Sequence, residues 1–303
     1  MALNALQTFL FSYSVISMLV YSFMIFSIIS QRKAVPILRG SFFKLVTGHF
    51  IADMLLFLEF NVLMRGRKYG YLNGIFVEGS TAFYIVPRLS NTLHYYAKIV
   101  VYIGQVYFAL NRLTSALFPV DYNNIWSSMR LRLMIIAQWT VPLIAVLPVH
   151  LNMNFQIIYQ EDQAHDTLRL ITDKTSTEII AFIDMGCSLI CTVLSLCMYI
   201  GTIYIVRRGT TRLAAIELRL LVSAFIVFGV LTLNTIVQVL TVITNEIGLE
   251  EVMFINDLSY PMIDLIYTCQ PWALLISSSV MRKNLMATAR RQSHRPIVIT
   301  IPT

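Results

Sequence analysis

Charge is what this 303-residue chain has least of: Asp, Glu, Lys and Arg together make up 13% of it, against 57% hydrophobic residues. Water-soluble chains carry about a quarter charged residues, so a globule of this composition could not cover its own surface. Cysteine is scarce as well, and Cys187, Cys191, Cys197 and Cys269 all fall in apolar segments. With no CxxC pair and no His at ligand spacing, neither a disulfide framework nor a metal site is expected. The sequence contains no Asn-x-Ser/Thr sequon, no internal repeat, and no basic leader before its first apolar stretch. GxSxG, HExxH and glycine-rich phosphate-loop signatures are missing too. The histidines are scattered, with no two at i, i+4 spacing. The expectation is therefore not an enzyme, with no cofactor. The net charge of +7 calls for no nucleic acid, because basic residues flanking membrane spans meet anionic lipid.

What the chain has instead is long apolar runs. A helix needs about 20 residues to cross a bilayer, and seven windows fit: 3–29, 42–64, 93–118, 133–149, 179–206, 216–243 and 252–280. The expected fold is all-α, a bundle of seven transmembrane helices over residues 1–285 with a short basic cytoplasmic tail over 286–303. Long continuous runs also speak against a β-barrel, whose spans are short and alternating. Orientation follows from the basic residues. With the N-terminus outside and the C-terminus inside, sixteen of the 23 Lys and Arg residues lie on the cytoplasmic side and six outside. One segment disagrees: "MRGRKYG" at 64–70 puts three basic residues on the outer face.

Ionisable residues inside a membrane cost about 2.5–3.5 kcal/mol each on insertion scales and mark candidate sites. In the third span Lys98, Tyr102, Gln105, Ala109 and Arg112 share one helical face, which should point into the bundle. Asp184, Cys187, Cys191 and Ser195 share a face of the fifth span, and Asn234, Gln238, Thr241 and Asn245 one of the sixth. Lys98, Glu59, Asp184 and Asp257 lie toward the outer side, where a bundle open at one end would hold a ligand beside Tyr102. The alternative is that Lys98 pairs with one of these carboxylates and closes the bundle. Asp53 and Asp264 lie deeper and, with Gln105, Asn234 and Gln238, are expected to form an internal polar network. Trp126 and Trp272 read as interfacial belt residues.

Several stretches resemble seven-helix receptors that couple to G proteins. "FIADMLLF" at 50–57 is similar to the Asp-centred second-helix motif, with Asp53 as the match. "LNRL" at 110–113 resembles the Asp/Glu-Arg-Tyr motif ending the third helix, and "AQWTVP" at 137–142 supplies the fourth-helix Trp139. "CQPWALLISSSVMRKNL" at 269–285 resembles the proline-bearing end of the seventh helix. "NRLTSALFPVDYNNIW" and "PWALLISSSVMRK" are similar to a nematode chemoreceptor superfamily, serpentine receptor class gamma (Srg), over essentially the whole chain. There are departures. Asn111 stands where an acid would neutralise Arg112, no outer cysteine precedes the third span, the sixth lacks proline, and Gln270 replaces an Asn before Pro271.

The resemblance implies a chemosensory receptor in the plasma membrane, in a sensory cilium, that binds a small molecule and signals to a heterotrimeric G protein. The Gα subunit would meet Asn111, Arg112, Arg207, Arg208, Arg212 and Glu217, with an Arg112–Glu217 contact at rest. Two other functions fit the composition: a transporter or proton-coupled carrier using Asp53, Glu59 and Asp264, and an odorant-gated channel of inverted topology, which "MRGRKYG" alone favours.

Overall fold

The computed structural model describes residues 5–72, 75, 79–162, 167–208, 215–247 and 252–293; of residues 5, 6, 162, 215–220, 245–247, 252–257 and 291–293 it describes the backbone alone. Long helices dominate. They are α1 (Ala5–Gln31), α2 (Ser41–Lys68), α3 (Thr81–Leu117), α4 (Ser128–Leu151), α5 (Lys174–Arg208), α6 (Ala215–Ile247), α7 (Val252–Ser277) and α8 (Ser279–Ser293). A hairpin of β1 (Ile157–Asp162) and β2 (Thr167–Thr172) sits between α4 and α5. Its antiparallel register runs from Ile157 opposite Thr172 to Asp162 opposite Thr167.

The burial pattern inverts that of a soluble protein. Asp53, Asp184 and Asp264 are buried, while Ile144 is 77% and Ile190 61% exposed. Such a surface suits a hydrocarbon solvent, in which polar groups must be satisfied internally. Among the described residues, five helices, within α1, α2, α4, α5 and α6, are long and apolar enough to cross a membrane. By contrast α3 and α7 carry the polar residues that the other helices enclose. α3 is the hub, packing against α2, α4, α5 and α6.

Several boundaries differ from expectation. α3 begins twelve residues before residue 93, capped by Ser80, whose hydroxyl accepts from Phe83 N at 3.3 Å. Pro87 lies inside this added part, in its second turn, one turn past the positions where a helix accommodates proline at no cost. α4 starts at Ser128 rather than 133 and keeps Pro142 and Pro148 within the helix. The connection after α4, expected as a loop, folds as the hairpin, because Tyr159 and Leu168 bury against Phe83 and Leu72. Arg88 pins that connection by donating to the carbonyls of His150 (2.7 Å), Asn152 (3.0 Å) and Phe155 (2.6 Å).

α2 does not stop at Met64. It passes through a six-residue π turn, Glu59–Met64, and continues as α-helix through Arg65–Lys68. Asn61 Nδ2 donates to the Phe57 carbonyl at 3.0 Å, a side-chain bond of the kind that competes with the helical ladder. Such wide turns recur at functional sites. Here the turn aims Glu59 at α3 while Asn61 and Arg65 reach α7.

Candidate functional site

The polar residues collect in clusters stacked along α3, and the most enclosed lies in the half of the bundle nearest the hairpin. Lys98 of α3 is ion-paired with Asp184 of α5, both side chains almost fully buried. Tyr102, one turn below Lys98, donates to the other carboxylate oxygen at 3.2 Å and accepts from Asn234 Nδ2 at 3.0 Å. Gln238, with its amide nitrogen turned to Asp184, donates to it at 3.2 Å and accepts from Lys98 at 3.2 Å. The Tyr95 ring lies 5.5 Å from the ammonium. Lys98 thus pairs with Asp184, and Asn234 and Gln238, expected deeper, complete the cluster. Side chains of three helices meet at one point, those of α3 and of α6 as i, i+4 pairs.

Glu59, expected beside Lys98, is instead held one turn away by α3's extension of the same face. Its carboxylate accepts from Ser90 Oγ at 2.9 Å and meets His94 Nδ1 at 2.8 Å. His94 stands four residues before Lys98, so the same stripe carries a signal for it one turn further along α3. Asn91 continues it to His150 Nε2 at 3.3 Å.

Asp264 is paired with Arg65 and bonded by Tyr267, Ser14 donates to it at 2.8 Å, and Arg65 Nη1 also donates to Asn61 at 2.6 Å. Arg65 comes from the discordant "MRGRKYG" segment, and it is buried rather than solvated. Lys68 lies 4.1 Å over the Tyr260 ring. These basic residues are spoken for by α7, which removes them as plain markers of a cytoplasmic face.

Asp53 is buried on α2, with His49 Nε2 at 3.6 Å and the buried Tyr21 hydroxyl of α1 beside its carboxylate. Gln105 bonds His49 Nε2 at 3.2 Å, and Gln138 reaches His49 Nδ1 at 3.3 Å and the Val100 carbonyl at 3.0 Å. His49 fits between α2, α3 and α4 because position 104 is glycine: a Cβ there would lie 2.1 Å from His49 Nδ1. His49 precedes Asp53 by four residues, an i, i+4 signal that His-only spacing overlooked.

At the α8 end, Asn111 and Arg112 are both buried. Asn111 Nδ2 donates to the hydroxyls of Tyr122 (2.8 Å) and Ser41 (3.1 Å), tying α3 to α2 and to the loop before α4. Arg112 Nη2 donates to Asn111 Oδ1 at 2.7 Å, and its guanidinium lies 4.3 Å over the Phe42 ring. Trp126, expected in an interfacial belt, is buried and donates to Thr114 Oγ1 at 2.8 Å; Trp272 donates to Ser17 Oγ at 2.9 Å. Arg207 and Arg208 project exposed from the end of α5, Arg208 4.5 Å over Tyr204. Arg212 lies outside the described residues, as do the side chains of Glu217 and Asp257. α8 docks on α1 through Gln31, which donates to Asn284 O at 3.1 Å and to Thr288, and through Ser27 with Thr288 at 2.9 Å.

This arrangement of buried charge inside an apolar exterior has a counterpart in known sequences. The family model of the serpentine type 7TM GPCR chemoreceptor Srv matches residues 10–291. The chain belongs to this chemoreceptor family. The expected assignment to the nematode serpentine chemoreceptors stands at that level, and the class the match names is Srv. No curated protein matches the chain. As a member of the Srv family with apolar helices, the chain is a multi-pass membrane protein. Among the described residues of this Srv chain, no group of three or more His, Cys, Asp or Glu side chains could hold a metal ion.

Proposed function

We propose that this Srv chain is a chemosensory receptor that binds a small molecule in the outer half of a seven-helix bundle and signals to a heterotrimeric G protein. The observation that carries this reading is the buried polar face of α3, which links the Lys98–Asp184 pair near the hairpin to Arg112 near α8. Because α3 touches most other helices, a ligand that binds one arrangement of its outer half better than another shifts the whole population. In this reading Lys98, Tyr102, Glu59, Asp184 and Asp257 form the ligand end. Asp53, Gln105, Asn234, Gln238 and Asp264 relay the change through the bundle. Asn111, Arg112, Arg207, Arg208, Arg212 and Glu217 form the Gα-facing end.

The seven spans are α1 to α7, with α3 and α7 shielded from lipid on their polar faces by their neighbours. The N-terminus is outside, in the plasma membrane of a sensory cilium. Burial of Arg65 supports this orientation, since it removes the strongest contrary signal. The gamma-like wording at 111–126 and 271–283 is read as shared among sister classes.

The test is signalling in cells that express the full chain with a Gα subunit and a second-messenger reporter. A small-molecule screen should yield a response that Arg112→Ala abolishes at unchanged surface expression. A transport current or solute flux in proteoliposomes free of G protein would instead favour a carrier.

A further inference from the structure

The two charges of the outer cluster are matched so closely that they restrict what can displace them. Lys98 faces Asp184, Gln238 bridges both, and Tyr102 occupies the second carboxylate oxygen. The side chains are 3% and 1% exposed. One atom is left over: Asn234 Oδ1, a buried acceptor with no donor. Its amide nitrogen is already committed to Tyr102, so the open oxygen awaits an N–H or O–H from elsewhere.

Separating a buried ion pair strands whichever charge is not re-paired, which is far costlier than leaving the pair alone. A purely anionic ligand on Lys98 would strand Asp184, and a purely cationic one on Asp184 would strand Lys98. A neutral ligand gains nothing by opening the pair. A molecule with both charges on one short frame re-pairs both partners, and a primary ammonium has protons left for Asn234 Oδ1. We propose that the ligand of this site is a small zwitterion of the α-amino-acid type, its carboxylate taken by Lys98 and its ammonium by Asp184 and Asn234 Oδ1. This rests on the receptor reading above and names its ligand class. Inserting such a ligand parts α3 from α5 by its own width, and α5 ends in the exposed Arg207 and Arg208.

The experiment uses the full chain in lipid nanodiscs, its thermal midpoint read against matched compounds. These are the free proteinogenic amino acids with uncharged side chains, their N-acetyl forms, which keep only the anion, and their amides, which keep only the cation. At least one free amino acid should raise the midpoint while its N-acetyl and amide partners leave it unchanged. Asn234→Ala should weaken that binding about tenfold, and Lys98→Met should abolish it. An N-acetyl or amide form as effective as its parent would overturn the proposal, as would binding unaltered in Asn234→Ala, or no free amino acid acting at all. If cells expressing the chain then signal to neutral odorants through Gα, the receptor reading survives and only the zwitterion is lost. If no coupling to any Gα is seen, basal or stimulated, the receptor reading itself has failed.

Discussion

Lys98 and Asp184 join α3 to α5 by an ion pair that no solvent reaches, with Tyr102 and Gln238 filling the remaining hydrogen-bond positions. The pair is a tie whose value shows only when one partner is removed. Asp184→Asn leaves an ammonium buried without a counter-charge, and should cost about 3–5 kcal/mol. Replacing both, as Lys98→Met with Asp184→Leu, should recover most of that loss. Thermal unfolding of the purified single and double variants gives the comparison, and a double variant no better than Asp184→Asn would show that the pairing is not what matters.

Arg65 and Tyr71 lie six residues apart on the same segment, which the proposed topology places outside, but Arg65 is 3% exposed and Tyr71 65%. Cysteine at position 71 should therefore react quickly with a membrane-impermeant maleimide applied to intact cells, and cysteine at 65 slowly. Labelling of position 71 only after permeabilisation would reverse the proposed topology.

Gly104 is required by its neighbours, not by its backbone. Gly104→Ala drives a methyl into His49 and Gln138, so α2 and α4 must shift from α3, at a cost of about 1–3 kcal/mol or more. Adding His49→Ala should restore much of the folded yield in detergent. Unchanged yield for Gly104→Ala alone would mean that the three helices are packed more loosely than these distances imply.

Asn111 holds Arg112 with a neutral oxygen at 2.7 Å. Asn111→Asp turns this into a charge-assisted bond, roughly twice as strong, and should lower basal signalling. Tyr122→Phe removes the hydroxyl that Asn111 and Ser41 share and should raise it. Equal basal activity in wild type and both variants would remove this cluster from any resting lock.

Asp173 begins α5. The Ser176 amide, at 2.9 Å from its carboxylate, holds its pKa below the usual range, aided by the Ser176 hydroxyl and the Gln156 amide. A depressed folded-state pKa means that its stabilisation is present above the unfolded value, about 4, and is lost as pH falls through the folded one. The protection of the Ser176 and Thr177 amides, their exchange measured against the intrinsic rate at the same pH, should fall as the medium is acidified below about pH 4. In Asp173→Ala that protection should be low throughout and nearly flat with pH; a pH dependence identical to wild type would assign the effect to another group.

How far the sequence could be read depended on the kind of regularity involved. Periodicity placed Lys98, Tyr102, Gln105 and Arg112 on one face of α3, and all four are buried. The same spacing reaches His94, four residues before Lys98, and His49, four before Asp53, because histidine is a hydrogen-bond partner as well as a metal ligand. The hairpin was illegible because its strands alternate only weakly and are fixed by two contacts to distant residues, Phe83 and Leu72. The π turn in α2 is equally hidden, since nothing in the residues Glu59–Met64 distinguishes a wide turn from a continuing α-helix.

Composition and stripe spacing alone determined that this chain is a helical membrane protein with its charges turned inward. That follows because an apolar solvent forces polar groups to one face, and a face is a local, periodic property. Which charge meets which was decided only by the tertiary structure. Lys98 could have taken any of three carboxylates, and the choice of Asp184, of Arg65 for Asp264 and of His94 for Glu59 depends on helix rotation and on one π turn. Those quantities are set where helices touch, far apart along the chain, and no local pattern records them.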